Sequence, residues 1–189
     1  LLVGLDVPHL AGPGQLGADR LEAAKRLDDR LQARHLLPQA AQRIGRVVRN
    51  INEVESPALI AADVKFDVSF LFGGQIKGER MRLFMIYSAG NFIECTTDTP
   101  YLQIGEHKYG KPVLDRAITY GVDLYDALKI GLISMDSTMR SNLGVGLPVD
   151  LVVLRRDVMQ WEVNRRIEAG EIVEPLVQGA AGIRLQPPG

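Results

Sequence analysis

Between Leu124 and Leu154 the chain reads LYDALKIGLISMDSTMRSNLGVGLPVDLVVL, and this run limits the possible folds more than any other. Leu124, Ala127, Leu128, Gly131, Leu132 and Met135 recur at three- and four-residue steps, which lays them along one face of a helix. Asp123 stands just before them as an N-cap, its side-chain oxygen free for a first-turn N–H. The polar run Asp136, Ser137, Thr138, Arg140, Ser141 and Asn142 predicts where that helix ends. Gly144 and Gly146 offer two positions open to φ > 0, and Pro148 turns Leu147 away from helix. Val149–Leu154 is then an apolar, β-branched run of strand length. Helix, polar corner, glycine loop and core strand in succession bring polar side chains to one end of a sheet. Such a corner can carry chemistry, or it can be only a well-capped turn.

The flanking segments supply the rest of the architecture. Leu1–Leu5 reads as a strand, followed by a loop carrying Pro8, Gly12, Pro13 and Gly14. Ala18–Arg34 has helical period with Leu21, Ala24, Leu27 and Leu31 inward, and His35–Pro38 predicts a break. A second helix is predicted over Gln39–Asn52, carried by Ala40, Ile44, Val47, Val48 and Ile51, with Arg43, Arg46 and Arg49 on a solvated face. Lys65–Phe72 alternates, with Phe66, Val68, Phe70 and Phe72 on one side; Met81–Tyr87 and Phe92–Thr96 complete an antiparallel meander. Pro112 and Gly121 bracket a short helix over 112–120. After Val149–Leu154, Val158–Asn164 is predicted as a strand with Met159, Trp161 and Val163 on one face, and 170–189 as a weakly ordered tail with faint helical signal.

Helices that arrive in pairs between groups of antiparallel strands exclude a doubly wound parallel sheet. The predicted class is α+β, a single domain over 1–189, with two stacked sheets and a helix pair on each outer face as one solution. With 46% hydrophobic and 24% charged residues, the composition is that of a soluble globular protein. A net charge of −1 gives no reason to expect nucleic acid or an anionic membrane surface. No apolar run is long enough to span a bilayer. The lone cysteine, Cys95, excludes an internal disulfide, reads as a packing residue and fits a reducing, cytoplasmic setting. His9, His35 and His107 stand too far apart to suggest a metal site, and no cofactor motif occurs, since Gly144-x-Gly146 lacks the glycine and helix that would follow.

Three stretches resemble a known family. Ser134-Met-Asp-Ser-Thr-Met-Arg-Ser-Asn-Leu-Gly-Val-Gly-Leu-Pro-Val-Asp-Leu is similar to a signature segment of the bacterial proteasome-related Anbu (ancestral beta subunit) proteins. Phe70-Leu-Phe-Gly-Gly-Gln-Ile-Lys-Gly-Glu and Tyr101-Leu-Gln-Ile-Gly-Glu-His-Lys-Tyr-Gly-Lys-Pro-Val-Leu-Asp-Arg resemble a strand-and-turn and the approach to the third helix in that family. The likeness runs from about Val64 to Arg156.

The resemblance implies a four-layer αββα sandwich of the N-terminal-nucleophile hydrolase type, incomplete at its N-terminus because three strands would precede Leu1. It implies amide-bond hydrolysis by the first residue of a mature chain, usually Thr, whose own amine serves as base with help from a lysine on the third strand. Leu1 has no nucleophilic side chain, so the expectation is that no catalytic residue lies in this chain.

Supporting positions do carry over. Gly14, or Gly12, matches an oxyanion-hole glycine, and is equally an ordinary turn glycine. Asn142 or Ser141 matches a residue that orients the terminal amine. Gly144 stands where the family pattern leads one to expect a serine, and Glu106 lies in the loop beside the active site. His107, next to it, reads as a surface histidine. The implied partners are copies of the same subunit, in a ring or helical assembly, and a peptide substrate. The competing reading is a non-catalytic structural subunit of such an assembly.

Overall fold

In the computed structural model the chain is described over residues 18–169 and the two-residue strands 2–3, 172–173 and 183–184, with side chains described over 35–169. The elements are β1 (Leu2–Val3), α1 (Ala18–Ala61), β2 (Phe70–Gly74), β3 (Arg82–Ile86), β4 (Phe92–Glu94), β5 (Tyr101–Leu102), α2 (Lys111–Ala117), α3 (Leu124–Ser141), β6 (Val149–Leu154), β7 (Trp161–Ile167), β8 (Ile172–Val173) and β9 (Ile183–Arg184). Every strand pair among them is antiparallel, so the class is α+β as predicted. The chain divides into two compact units, residues 6–95 and residues 1–5 with 96–189.

In the first unit α1 lies against the meander β2-β3-β4. Ala41, Phe84 and Ile86 are fully buried, and Leu37, Ile44, Phe72 and Phe92 pack around them. Phe84 stacks on Phe72 at 6.2 Å and meets Phe92 edge-on at 5.7 Å, two favourable aromatic geometries. Leu83, on the opposite face of β3, is also buried. Arg82 is held over the Phe84 ring and bonded to Glu94 through both carboxylate oxygens. Cys95 follows directly, half-buried, its N–H bonded to Leu83 O at 2.8 Å.

Several boundaries differ from the prediction. The break at His35–Pro38 does not occur: α1 is one helix of 44 residues with Pro38 and Pro57 inside it. A proline in a helix interior costs about 3 kcal/mol, and the apolar turn Leu37–Ala41–Ile44 seated on the sheet offsets it. The buried face of α1 is also rotated from the predicted one, because Ala41, Gly45 and Val48 are buried while Val47 and Ile51 are about half exposed. The expected strand Lys65–Phe72 forms only from Phe70, and Phe92–Thr96 stops at Glu94. A ladder cannot outrun its partner: Phe70 pairs with Ile86, where β3 ends.

In the second unit α2 and α3 pack together around Leu114, Ile118 and Ala127. α3 also packs through Leu132 and Met139 on Leu151 and Ile167 of the β6–β7 hairpin. The predicted cap is present, Asp123 accepting from Tyr125 N at 2.9 Å. α3 ends within the predicted polar run, at Ser141 with Asn142 as its C-cap. Its polar groups are satisfied locally, Thr138 Oγ1 donating to Ser134 O and Arg140 pairing with Asp136, while Met139 is fully buried. Neither Gly144 nor Gly146 uses the positive φ open to it, and the Leu147–Pro148 peptide is cis.

β6 forms over the predicted Val149–Leu154, with Leu151 and Val153 inward. The next strand is Trp161–Ile167, not Val158–Asn164, since Asp157 and Met159 adopt left-handed backbone and leave Val158 outside the ladder. Met159 and Trp161 are correspondingly exposed. The predicted short helix is observed as Lys111–Ala117. Two elements were not predicted: β5, which pairs with β1, and the β8–β9 pair in the segment expected to be a tail.

Candidate functional site

The C-terminal end of α3 and the loop 103–110 meet at a polar corner. Gly105, at φ +88, turns that loop. Glu106 then accepts through both oxygens, from Lys108 N at 2.7 Å and from Asn142 Nδ2 at 2.7 Å. The second bond joins residues 36 positions apart, and Asn142 is the C-cap of α3. Its own Oδ1 accepts from Gly144 N at 2.8 Å, an Asx turn that sets the path of the glycine loop. Gln103 Nε2 donates to Glu106 O at 2.7 Å, and the exposed His107 ring lies 3.2 Å from Gln103 O.

Further along, the loop runs against α3 itself. Ser137 Oγ donates to Tyr109 O, and Gly110 sits so close that a Cβ there would come within 2.5 Å of both Ser134 Oγ and Thr138 Oγ1. Ser134 and Thr138 are buried. Ser134, Ser137, Thr138 and Asn142 therefore form a polar stripe along α3 that carries the loop. Their spacing was the signal available in the sequence, where Ser137 and Thr138 read only as the polar end of a helix and Asn142 was marked by the resemblance.

The electrostatics follow from these bonds. The Lys108 N–H holds the Glu106 carboxyl below the ordinary carboxylate range, and the Asn142 amide adds to this. Each carboxylate oxygen of Glu106 accepts one hydrogen bond, and Asn142 Oδ1 accepts one, so the corner ties the loop 103–110 to the end of α3 and the glycine loop after it. Of the positions singled out in the sequence, Glu106, Asn142 and Gly144 are brought together by hydrogen bonds. Ser141 is the last residue of α3, adjacent to them and exposed. Gly12 and Gly14 lie outside the described residues. No group of His, Cys, Asp and Glu side chains among the described residues could hold a metal ion. No helix among them is long and apolar enough to cross a membrane.

No protein-family model and no curated protein matches this chain. Solved structures do. The "Gly-1" mutant of Anbu from Hyphomicrobium sp. strain MC1 is 49% identical with a TM-score of 0.64, over 71% of this chain and 54% of that one. Anbu (ancestral beta-subunit) from Yersinia bercovieri is 48% identical with a TM-score of 0.65, over 71% and 54%. A structure described as the helical assembly of the Anbu complex from Pseudomonas aeruginosa is 41% identical with a TM-score of 0.65, over 71% and 56%. The chain thus spans about half the length of the proteins it matches. Literal sequence agreement on this scale, joined to a shared fold, places the chain in the Anbu family of proteasome-related proteins.

Proposed function

We propose that the chain is part of a proteasome-related peptidase subunit. In this reading it supplies the support of an active site whose nucleophile lies outside these residues. The observation that carries the reading is the Asn142–Glu106 hydrogen bond. It fastens the loop beside the expected active site to the end of the helix expected to orient a terminal amine. A nucleophile that uses its own amine as base needs that amine held within a fraction of an ångström. Asn142, with Ser141 beside it, is the group assigned that role; Glu106 fixes Asn142, Gly144 continues the loop, and Gly14 is the oxyanion donor. The substrate is a peptide, the setting cytoplasmic, and the fold one proteasome-subunit-like domain of the four-layer αββα type.

The test is peptide-amide hydrolysis by the protein as its gene encodes it, with Asn142→Ala compared against the unaltered protein. The expected result is a fall in kcat of about a hundred-fold, the scale of a misplaced reacting group, with KM little changed. An unchanged kcat in a folded variant would remove Asn142 from the machinery.

A second reading is a structural subunit of a homo-oligomeric ring or helical array. It is favoured by the similar Pseudomonas aeruginosa structure, described as a helical assembly, and by Gly144 standing where the family pattern has a serine. Intact assembly with no hydrolysis in the unaltered protein would select it.

A further inference from the structure

Gln103 stands where β5 gives way to the loop 103–110, and its side chain spans the turn at Gly105. Its Nε2 donates to Glu106 O at 2.7 Å, and its backbone O lies 3.2 Å from Nε2 of His107. Glu106 is therefore gripped by its backbone carbonyl from one side, while its carboxylate accepts from Lys108 N and Asn142 Nδ2. Asn142 Oδ1 in turn accepts from Gly144 N. A continuous run of hydrogen bonds leads from the end of β5 through Gln103, Glu106 and Asn142 to the glycine loop after α3.

The other end of the same amide is unmatched. Gln103 Oε1 is buried and has no hydrogen-bond partner among the described residues. Reversing the amide would set its oxygen against Glu106 O, acceptor against acceptor, so the Glu106 carbonyl selects the orientation that leaves Oε1 unmatched. A buried carbonyl without a donor costs more than an apolar group of the same shape in its place. Stability by itself thus favours a methionine at this position over a glutamine. What the amide does among the described residues is hold Glu106. We propose that Gln103 is a positioning residue, which sets Asn142 by fixing the Glu106 carboxylate that Asn142 binds.

The inference rests on the proposed function and adds to it a residue that acts at one remove. Its test is Gln103→Met in the protein as its gene encodes it, a side chain of similar length with neither the donor nor the unmatched carbonyl. The melting temperature should hold or rise, because the unmatched carbonyl is gone. With its backbone released, Glu106 should sit less squarely on Lys108 N and Asn142 Nδ2. Its carboxyl, followed by carbon NMR, should then titrate closer to the ordinary carboxylate range. The kcat for peptide-amide hydrolysis should fall by up to about tenfold, the rate equivalent of one lost hydrogen bond, with KM little changed. An unmoved Glu106 titration would overturn the inference, and so would a moved titration with unchanged kcat. A melting temperature that falls along with kcat would make Gln103 a structural residue and overturn its positioning role. An unaltered protein that hydrolyses no peptide would instead overturn the proposed function, and the Glu106 titration would still decide whether Gln103 fixes Glu106.

Discussion

Glu162 gathers three hydrogen bonds, two from Arg155 just after β6 and one from Tyr125 of α3. Arg155 reaches one of its oxygens through Nε at 2.5 Å and the other through a terminal nitrogen at 2.9 Å. Tyr125, in the first turn of α3, donates its hydroxyl at 2.6 Å. The Arg155 bond, with the tyrosine second, lowers the Glu162 carboxyl from 4.5 to about 2. A carboxyl whose folded value is depressed contributes stability above its unfolded value and loses it as pH falls through the folded one. The contribution should therefore be complete above about pH 4.5 and gone below about pH 2. Glu162→Gln is expected to lower the melting temperature at pH 6, by an amount within the range of about 1 kcal/mol for exposed pairs, and to match the parent near pH 2. A constant difference between the two proteins across that interval would dissociate Glu162 from the effect. Neither this cluster nor the Glu106–Asn142 bond was legible as a pair in the sequence, since each joins residues more than 30 positions apart. The resemblance marked Glu106 and Asn142 separately; only folding shows that one holds the other.

Between elements, a pair of glycines marks a place where backbones touch. Gly45 of α1 and Gly90, in the β3–β4 turn at φ +77, face each other, so a Cβ on Gly45 would stand 2.2 Å from Gly90 O. Gly45→Ala should gain about 1 kcal/mol of helix propensity. The overlap is with backbone, which cannot swing aside, and overpacking of this kind costs about 1–3 kcal/mol or more. The overlap wins: Gly45→Ala is expected to lower the melting temperature by several degrees, while Gly74→Ala, with nothing within 4 Å, should leave no such overlap to relieve. A Gly45→Ala protein as stable as its parent would mean that helix and turn can separate at no cost. The sequence made α3, its Asp123 cap and β6 readable because periodicity and capping are local. It misplaced the start of β2 because that end is set by where its partner β3 stops, and the start of β7 because apolar alternation does not show the left-handed turn at Asp157 and Met159. It broke α1 at Pro38 because a propensity rule carries no information on what the neighbouring turns bury.

At the scale of the molecule, each unit has buried centres of its own. Phe84 and Ile86 anchor residues 6–95; Leu114, Met139 and Ile167 anchor the other unit. The predicted fold class needed only the order of the elements, which the hydrophobic pattern carries. The grouping into units depends on which distant faces meet, and alternating apolar residues do not encode that. The one thiol in the chain sits where the first unit ends. Burial, and then the Glu94 charge, push Cys95 from 9.0 up to about 11. Near neutral pH this leaves about a hundredth of the thiolate that an unfolded chain would present. Each molecule thus carries a built-in clock for its own opening. A maleimide or disulfide reagent should label Cys95 about a hundred times faster in denaturant than in buffer. Labelling in buffer that outpaces this folded-state share would then count how often the strand end at Cys95 opens, without an added probe.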